Sequence, residues 1–280
     1  MIDPLIIDEL IDRAIAEDVG FCDLTSELVI PAGARAQLVL NAREDVVVAG
    51  IEVATRVFQR REPGCSVEMR VADGERVKAG SLMGRVAGSA RGLLAVERTA
   101  LNFLQHLSGV ATLTAQYAAR IAGTGAVLID TRKTIPGLRA LEKHAAQMGG
   151  ARNHRLRLDD GVLIKDNHIS VCGSIAAAVQ RARAGAPVLT KIEVECDALE
   201  QVRQALDSGA DMILLDNMSL DEMRKAVALC GGRVPLEASG GVRLETIRAI
   251  AETGVDFISV GRITQSAPAV DIGLDAAIGA

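Results

Sequence analysis

The second half of this chain predicts an α/β fold with parallel strands, on three observations. Short β-rich runs alternate with alanine-rich helical stretches, an order that calls for parallel strands joined by helical crossovers. Many of the helical stretches close on glycine, which readily takes the turn at a helix end. Each β-rich run also finishes in polar or glycine residues, as strand ends do where an α/β protein builds its site. An α/β barrel and an open doubly wound sheet both satisfy this pattern.

The elements can be justified in chain order. The opening "MIDPLIIDELIDRAIAEDVG" carries Ile7, Leu10, Ile11, Ala14 and Ile15 at helical spacing. It is acidic and lacks the basic start of a signal peptide, so it reads as an amphipathic helix of the folded protein. "AQLVLNARED", "VVVAG" and "CSVEMRVADGERVKAGSLMGRVAG" read as strands, with "DGERVKAG" as a turn between two of them. "GLLAVERTALNFLQHLSG" is helical and completes a mixed α+β unit that ends near Ser108–Gly109.

The strands of the second half are "AVLIDTR" (126–132), "GVLIK" (161–165), "LTKIEVE" (189–195), "MILLDN" (212–217), "VPLEASGG" (234–241) and "FISVGR" (257–262). Helical patterns such as "SIAAAVQRARAG", "LEQVRQALDSG", "LDEMRKAVALCGG" and "LETIRAIAETG" lie between several of them. The domains are therefore 1–108 and 109–266, and the tail 267–280 is expected to pack back on the first.

Composition excludes several classes. A net charge of -5 and 2% aromatic residues argue against a nucleic-acid binder, which needs basic grooves and stacking rings. No apolar run approaches the length of a membrane span. The five cysteines, Cys22, Cys65, Cys172, Cys196 and Cys230, are widely separated and form no CxxC pair, so a structural zinc site is not expected. They read as reduced thiols of a cytoplasmic protein, each a small buried apolar side chain.

The strand ends supply Arg132 and Lys133, then Lys165, Glu195, Asp216, Ser239 with Gly240 and Gly241, and Gly261. Taken singly, a Lys or Asp after a strand is most often a solvated loop residue. Six polar ends in register along the chain are hard to attribute to chance. Gly240 and Gly241 precede a helical pattern, and free N–H groups with a helix N-terminus would suit a phosphate. Glu195 and Asp216 end adjacent runs and suit either Mg2+ or plain ion pairing. "ARNHRLR" gathers Arg152, His154, Arg155 and Arg157, which a solvated face would also do. His106 and His144 read as helix residues and His168 as a neighbour of the site. No Ser-His or Cys-His pair stands out. The inventory fits a small polyanionic, phosphorylated substrate.

At these residues the chain resembles the quinolinate phosphoribosyltransferase family. The motifs are "EDVGFCDLTS", "ERTALNFLQHLSGVAT", "DTRKTIPGLRALEK", "GGARNHRLRLDDGVLIKDNH", "EVE", "LLDN", "EASGG" and "DFISVGRITQSAPAVDIGLD", over nearly the whole length. The resemblance implies an N-terminal α/β sandwich and an incomplete, TIM-like α/β barrel with its active site at the C-terminal strand ends. It implies decarboxylating phosphoribosyl transfer from phosphoribosyl pyrophosphate to quinolinate, giving nicotinate mononucleotide in de novo NAD synthesis. It also implies Mg2+ and a homodimer with shared active sites, and leaves open whether dimers assemble into hexamers.

Residue by residue, the resemblance makes Arg132, His154 and Arg155 the holders of the two substrate carboxylates, with Lys165 nearby. Arg98 would come from the partner subunit. Lys133 and Lys165 would meet the phosphoribosyl substrate, with Thr131 also substrate-binding. Glu195 and Asp216 would serve the ribose and the metal–pyrophosphate, and with the two lysines form the catalytic set. Ser239, Gly240 and Gly261 would hold the 5′-phosphate. The chain departs from the family at Cys22 and Arg157, where glycine is usual, and in "GRITQS" for "GALTHS", which brings in Arg262 and Gln265. These departures keep a second reading in play, a related transferase for another small aromatic acid. A Schiff-base barrel using Lys133 or Lys165 and a carrier module modified at Lys78 fit the sequence less well.

Overall fold

The structure, a computed structural model, describes residues 4–277. In chain order its elements begin with α1 (Pro4–Val19), α2 (Leu24–Val29), β1 (Arg35–Ala42), β2 (Val46–Val47), α3 (Ile51–Arg61) and β3 (Ser66–Met69). Next come β4 (Arg76–Val77), β5 (Leu82–Ser89), α4 (Ala90–Arg120), β6 (Val127–Ile129), α5 (Arg139–Met148) and β7 (Val162–Ile164). Then follow α6 (Asp166–Cys172), α7 (Ile175–Gly185), β8 (Ile192–Cys196), α8 (Leu199–Asp207), β9 (Met212–Asp216) and α9 (Leu220–Cys230). The last are β10 (Leu236–Ser239), α10 (Ile247–Ala251), β11 (Phe257–Ser259), α11 (Arg262–Gln265) and β12 (Ile272–Ala276).

The described residues form two compact units. One contains 4–115, 135–150 and 263–277, and the other 116–134 and 151–262. The first is built on a four-stranded antiparallel sheet in the order β12-β1-β5-β3. Alternation along β1 buries Leu38, Leu40 and Ala42 on one face. Leu40, Val86 and Leu274 of the sheet meet Phe58 of α3 and Leu101 and Leu104 of α4 around one small apolar cavity. α1 buries Ile7 and Ile11, one turn apart, and its Asp8 and Asp12 receive Arg56 and Arg60 of α3 at 2.9 and 2.5 Å. The tail does return to this unit, because β12 pairs with β1.

Two details differ from the sequence reading. The segment "DGERVKAG" is more than a turn, since β4 within it pairs with β2. The helix over "GLLAVERTALNFLQHLSG" does not stop at Gly109 but runs on to Arg120. Gly109 is there for close packing, because a Cβ on it would stand 2.1 Å from the carbonyl oxygen of Pro268. It is not a helix end.

The second unit is a parallel sheet in the order β6-β11-β10-β9-β8-β7. This is the cyclic order of a barrel, with the first strand beside the last and no reversal of direction along the sheet. It excludes the doubly wound alternative, whose strand order reverses at a switch point. The sheet is open between β6 and β7, and Arg152 bridges to Ile129 on the free side of β6. The helices between strands carry ordinary stop and start signals. Ser219 caps α9 in a reciprocal box with Glu222, and Gly231 closes it at φ 55°.

Candidate functional site

Side chains alternate along a strand, so every second residue of a barrel strand faces the interior. In register, Leu163 of β7 meets Glu193 of β8, and Leu214 of β9 meets both Glu195 of β8 and Glu237 of β10. One step on, Asp216 meets Ser239. Lys165, Glu195, Asp216, Ser239 and Ser259 thus end the strands, while Glu193 and Glu237 lie one interior position deeper. These residues line a cleft of about 600 Å³ together with Thr131, Arg132, Lys133, His154, Arg155 and Gly240; Glu193 is beneath rather than on its wall. That volume suits small ligands.

One side of the cleft is cationic. Asp130, fully buried, accepts the His154 N–H at 2.9 Å and the Asn153 side-chain amide at 2.6 Å, and so ties the "NHR" loop to the end of β6. Arg155 donates to the carbonyl of Gly161 at 3.1 Å. Burial and then the charge of Arg132 press the Arg155 pKa down. Two like charges thus share this wall, and Arg132 Nε is buried without a hydrogen-bond partner.

Beneath them, His154 Nε2 lies 2.9 Å from Glu193 Oε2 and 3.4 Å from Glu237 Oε2. Burial alone would lower the His154 pKa, but the hydrogen bond to Glu193 and the close carboxylate of Glu237 outweigh it and push it up to about 10. The Arg155 N–H faces Nδ1 at 2.7 Å, a contact that a proton there would displace. Two buried carboxylates against one main-chain dipole decide for the charged ring. Burial raises the Glu193 pKa, the His154 hydrogen bond opposes, and the charge of Glu237 adds to the rise; the direction is up. Among the described residues, His154, Glu193 and Glu237 are the group whose donor atoms all fall within 4.8 Å. A metal ion there would have to displace a firmly held proton, so the trio is a proton site first.

The other side mixes acid, base and bare backbone. Lys165 Nζ pairs with Glu195 Oε2. His168 Nδ1 accepts the Lys165 N–H at 2.9 Å, so His168 is indeed a neighbour of the site. Asn217 takes a left-handed φ of 54°, rare for a side chain, and its amide donates to Asp216 at 2.8 Å. Gly240 and Gly241 have φ 91° and 61°, and a Cβ on Gly240 would stand 2.2 Å from Asn217 Oδ1. Gly261 lies against Lys133, whose Cδ a Cβ there would meet at 2.8 Å. Ser259 donates to Ser239 at 3.0 Å across β11 and β10.

Two family models match this chain. The N-terminal domain of quinolinate phosphoribosyl transferase matches residues 23–108, and the C-terminal domain matches 110–275. The chain belongs to the quinolinate phosphoribosyltransferase family. It is 43% identical to a probable nicotinate-nucleotide pyrophosphorylase [carboxylating] of Synechocystis, over 96% of this chain and 92% of that one. It is 44% identical to the nicotinate-nucleotide pyrophosphorylase [carboxylating] of Mycobacterium leprae, over 95% and 96%. The crystal structure of NadC from Streptococcus pyogenes superposes with a TM-score of 0.94 at 38% identity, covering 99% of both chains.

In this chain the barrel brings together Thr131, Arg132, Lys133, His154, Arg155, Lys165, Glu195, Asp216, Ser239 and Gly240 around one cleft. Gly261 abuts it through Lys133. Arg98 lies exposed on α4 in the first unit and is not among the lining residues. His106 and His144 sit in helices α4 and α5, as expected, where they pair with Glu142 and Asp73, each at 2.8 Å. Arg157 and Arg262 are exposed and do not line the cleft.

The structure corrects two expectations. The helix after Gly241 begins only at Ile247 and has five residues, because Arg243 and Thr246 form a turn in between. Any phosphate cradle is therefore made by the Gly240–Gly241 backbone and not by a helix N-terminus. Of the five cysteines expected to be buried, Cys22 is exposed, next to a fully exposed Phe21, and Cys65 and Cys172 are half-buried. Cys196 and Cys230 are buried, and burial pushes the Cys196 thiol up to about 12. Sequence reasoning missed Asp130, Glu193 and Glu237. The signal was present in the last two. Each stands two residues before a strand-end polar residue, hence on the same interior face.

Proposed function

We propose that this chain joins quinolinate to phosphoribosyl pyrophosphate, releasing pyrophosphate and carbon dioxide and leaving nicotinate mononucleotide, in de novo NAD synthesis. The observation that carries this reading is Arg132, half-buried at the cleft with its Nε buried and without a hydrogen-bond partner, on a wall shared with Arg155 and lined also by acids and a glycine cradle. A dianionic aromatic acid satisfies the cationic side. A phosphorylated sugar suits the other.

Arg132, Arg155 and His154 hold the two carboxylates, with guanidinium giving paired donors in one plane. Thr131 accepts the Lys133 N–H at 3.0 Å and shapes the turn that carries Arg132 and Lys133. Lys133 and Lys165 face the pyrophosphate and ribose, and Ser239, Gly240 and Gly261 the 5′-phosphate. The pyridine nitrogen then attacks C1 of the ribose as the C1–oxygen bond to pyrophosphate breaks. The quaternised ring withdraws electrons, the carbon–carboxylate bond breaks with release of carbon dioxide, and the electron pair left on the ring carbon takes a proton from water to give nicotinate mononucleotide. Alignment of the two substrates and preorganised cations lower the barrier. Lys165 is held at the cleft by its ion pair with Glu195.

Glu195 and Asp216 offer hard carboxylate oxygens at the cleft, a donor set that fits Mg2+ retaining most of its waters. When bound, Mg2+ supplies positive charge to the pyrophosphate. Arg98 completes the neighbouring site in a homodimer, and whether dimers pair further into hexamers is a matter for solution mass. The five free cysteines suit a reducing cytoplasm, and among the described residues no helix is long and apolar enough to cross a membrane.

The test supplies quinolinate, phosphoribosyl pyrophosphate and Mg2+, with nicotinate in parallel, and follows carbon dioxide and nicotinate mononucleotide. Product from quinolinate alone is expected. Equal use of nicotinate would move the assignment to a transferase for another aromatic acid. For the shared site, Arg98→Ala and Arg132→Ala proteins, each inactive, should regain part of the activity when mixed and allowed to exchange subunits.

A further inference from the structure

The interior of a small parallel barrel is normally filled by apolar side chains. Here two carboxylates occupy it, Glu193 at 5% exposure and Glu237 at 2%. Glu193 Oε1 and Glu237 Oε2 have no hydrogen-bond partner. As a stability device this is a poor one, since apolar residues of similar volume usually serve a core at least as well. Both carboxylates converge on one group, the Nε2 of His154, at 2.9 and 3.4 Å.

His154 is held at its other end too. Its main-chain N–H donates to Asp130 at 2.9 Å, and the next residue of the same loop is Arg155. The ring is thus clamped from below by the acids and from behind by Asp130. Loops at strand ends are ordinarily the mobile part of a barrel. This one is tied to the barrel floor by charged groups.

We propose that Glu193 and Glu237 are positioning residues for recognition of the substrate carboxylates: they grip the His154 imidazole by Nε2 and so fix the wall, His154 with Arg155, against which the pyridine dicarboxylate seats. This rests on the quinolinate reading given above. Neither acid need touch substrate. Their negative charge also favours the charged ring, so the wall stays cationic at neutral pH. Replacement of either by a neutral isostere leaves the cleft's shape and loosens the grip. The acids on the other side, Glu195 and Asp216, are untouched by such a change, so the phosphoribosyl half of the site keeps its binding.

The experiment is a separation of Michaelis constants in Glu237→Gln and Glu193→Gln proteins, varying each substrate with the other in excess. KM for quinolinate should rise about tenfold or more, the worth of a charge-assisted hydrogen bond, while KM for phosphoribosyl pyrophosphate stays within about twofold. Equal rises in both constants, or no rise for quinolinate in the folded variants, overturn the proposal. A second readout does not depend on turnover. With only four histidines in the chain, selectively labelled imidazole nitrogens can be assigned by NMR. At about pH 8, above the ordinary histidine pKa, wild-type His154 should show the charged ring and the Glu237→Gln protein the neutral one. A neutral His154 in the wild type overturns the grip even if quinolinate is turned over. A charged His154 in a wild type inert toward quinolinate would instead sink the functional reading and leave the grip standing.

Discussion

The two units treat their buried polar groups differently. In the antiparallel unit they are answered. His106 meets Glu142, whose other oxygen accepts the Ile135 N–H at 3.0 Å, and His144 meets Asp73, which accepts the Ile51 N–H at 3.0 Å. In the parallel unit Asp130 is answered by His154 and Asn153, but three atoms are not. Arg132 Nε, Glu193 Oε1 and Glu237 Oε2 are buried without a hydrogen-bond partner, the last with only the His154 ring at 3.4 Å, and among the described residues these three are the buried side-chain atoms left so. An unanswered buried polar atom costs free energy that a fold built only for stability would avoid. The contrast teaches that polar burial alone does not mark a site. Polar burial left incomplete does.

That contrast can be broken by experiment. The largest effect is expected where the orphan faces the cleft. Arg132→Ala should lower kcat/KM for quinolinate by about a hundredfold or more, with an unfolding midpoint close to wild type, because the guanidinium has little to lose inside the fold. A protein that unfolds instead would make Arg132 a structural residue.

Gly240→Ala comes next. It forces a side chain onto φ 91° and against Asn217 Oδ1, so KM for phosphoribosyl pyrophosphate should rise about tenfold, with quinolinate less affected. Equal effects on both substrates would mean that the strand ends move as one.

In the answered unit the same kind of change should cost stability and spare function. Asp73→Ala removes the partner of His144 and of the Ile51 N–H, so denaturant unfolding should show a loss of about 1–3 kcal/mol, with both Michaelis constants unchanged.

The smallest effect is one of pH, and its sign differs between the units. His154 has its pKa raised to about 10, so its contribution to stability is complete below the ordinary histidine value and is lost as pH rises through 10. Burial would raise the Asp73 pKa, but hydrogen bonds from His144, Ile51 and Gly50 outweigh it and the net direction is down. Its contribution is therefore present above the ordinary aspartate value and lost as pH falls below it. Denaturant unfolding followed by circular dichroism at pH 7, 9 and 11 in wild type and in the Glu237→Gln protein checks the alkaline sign: the wild type should lose more stability than the variant on going to pH 11, and equal losses would contradict the assignment.

Most strands and helices of the barrel were legible in the residues, because period and punctuation are local properties. "MILLDN" and "LDEMRKAVALCGG" appear as β9 and α9 within a residue or two. The strand-end polar residues were legible for the same reason, since each strand stops where burial stops. Gly109 was misread because a glycine that permits close approach looks in sequence like one that ends a helix. Glu193 and Glu237 were passed over because a charged residue inside a buried strand has no local explanation.

The sequence by itself determined the elements, their parallel order in the second half, the strand-end residues and the family to which they belong. Only the tertiary structure decided that the sheet runs in barrel order. It also decided that Glu193 and Glu237 converge on His154, and that Gly240 rather than a helix N-terminus offers the cradle. The reason is physical. Periodicity records how each segment meets solvent and core. The meeting of three side chains from a loop and two strands depends on register and strand order, which no single segment encodes.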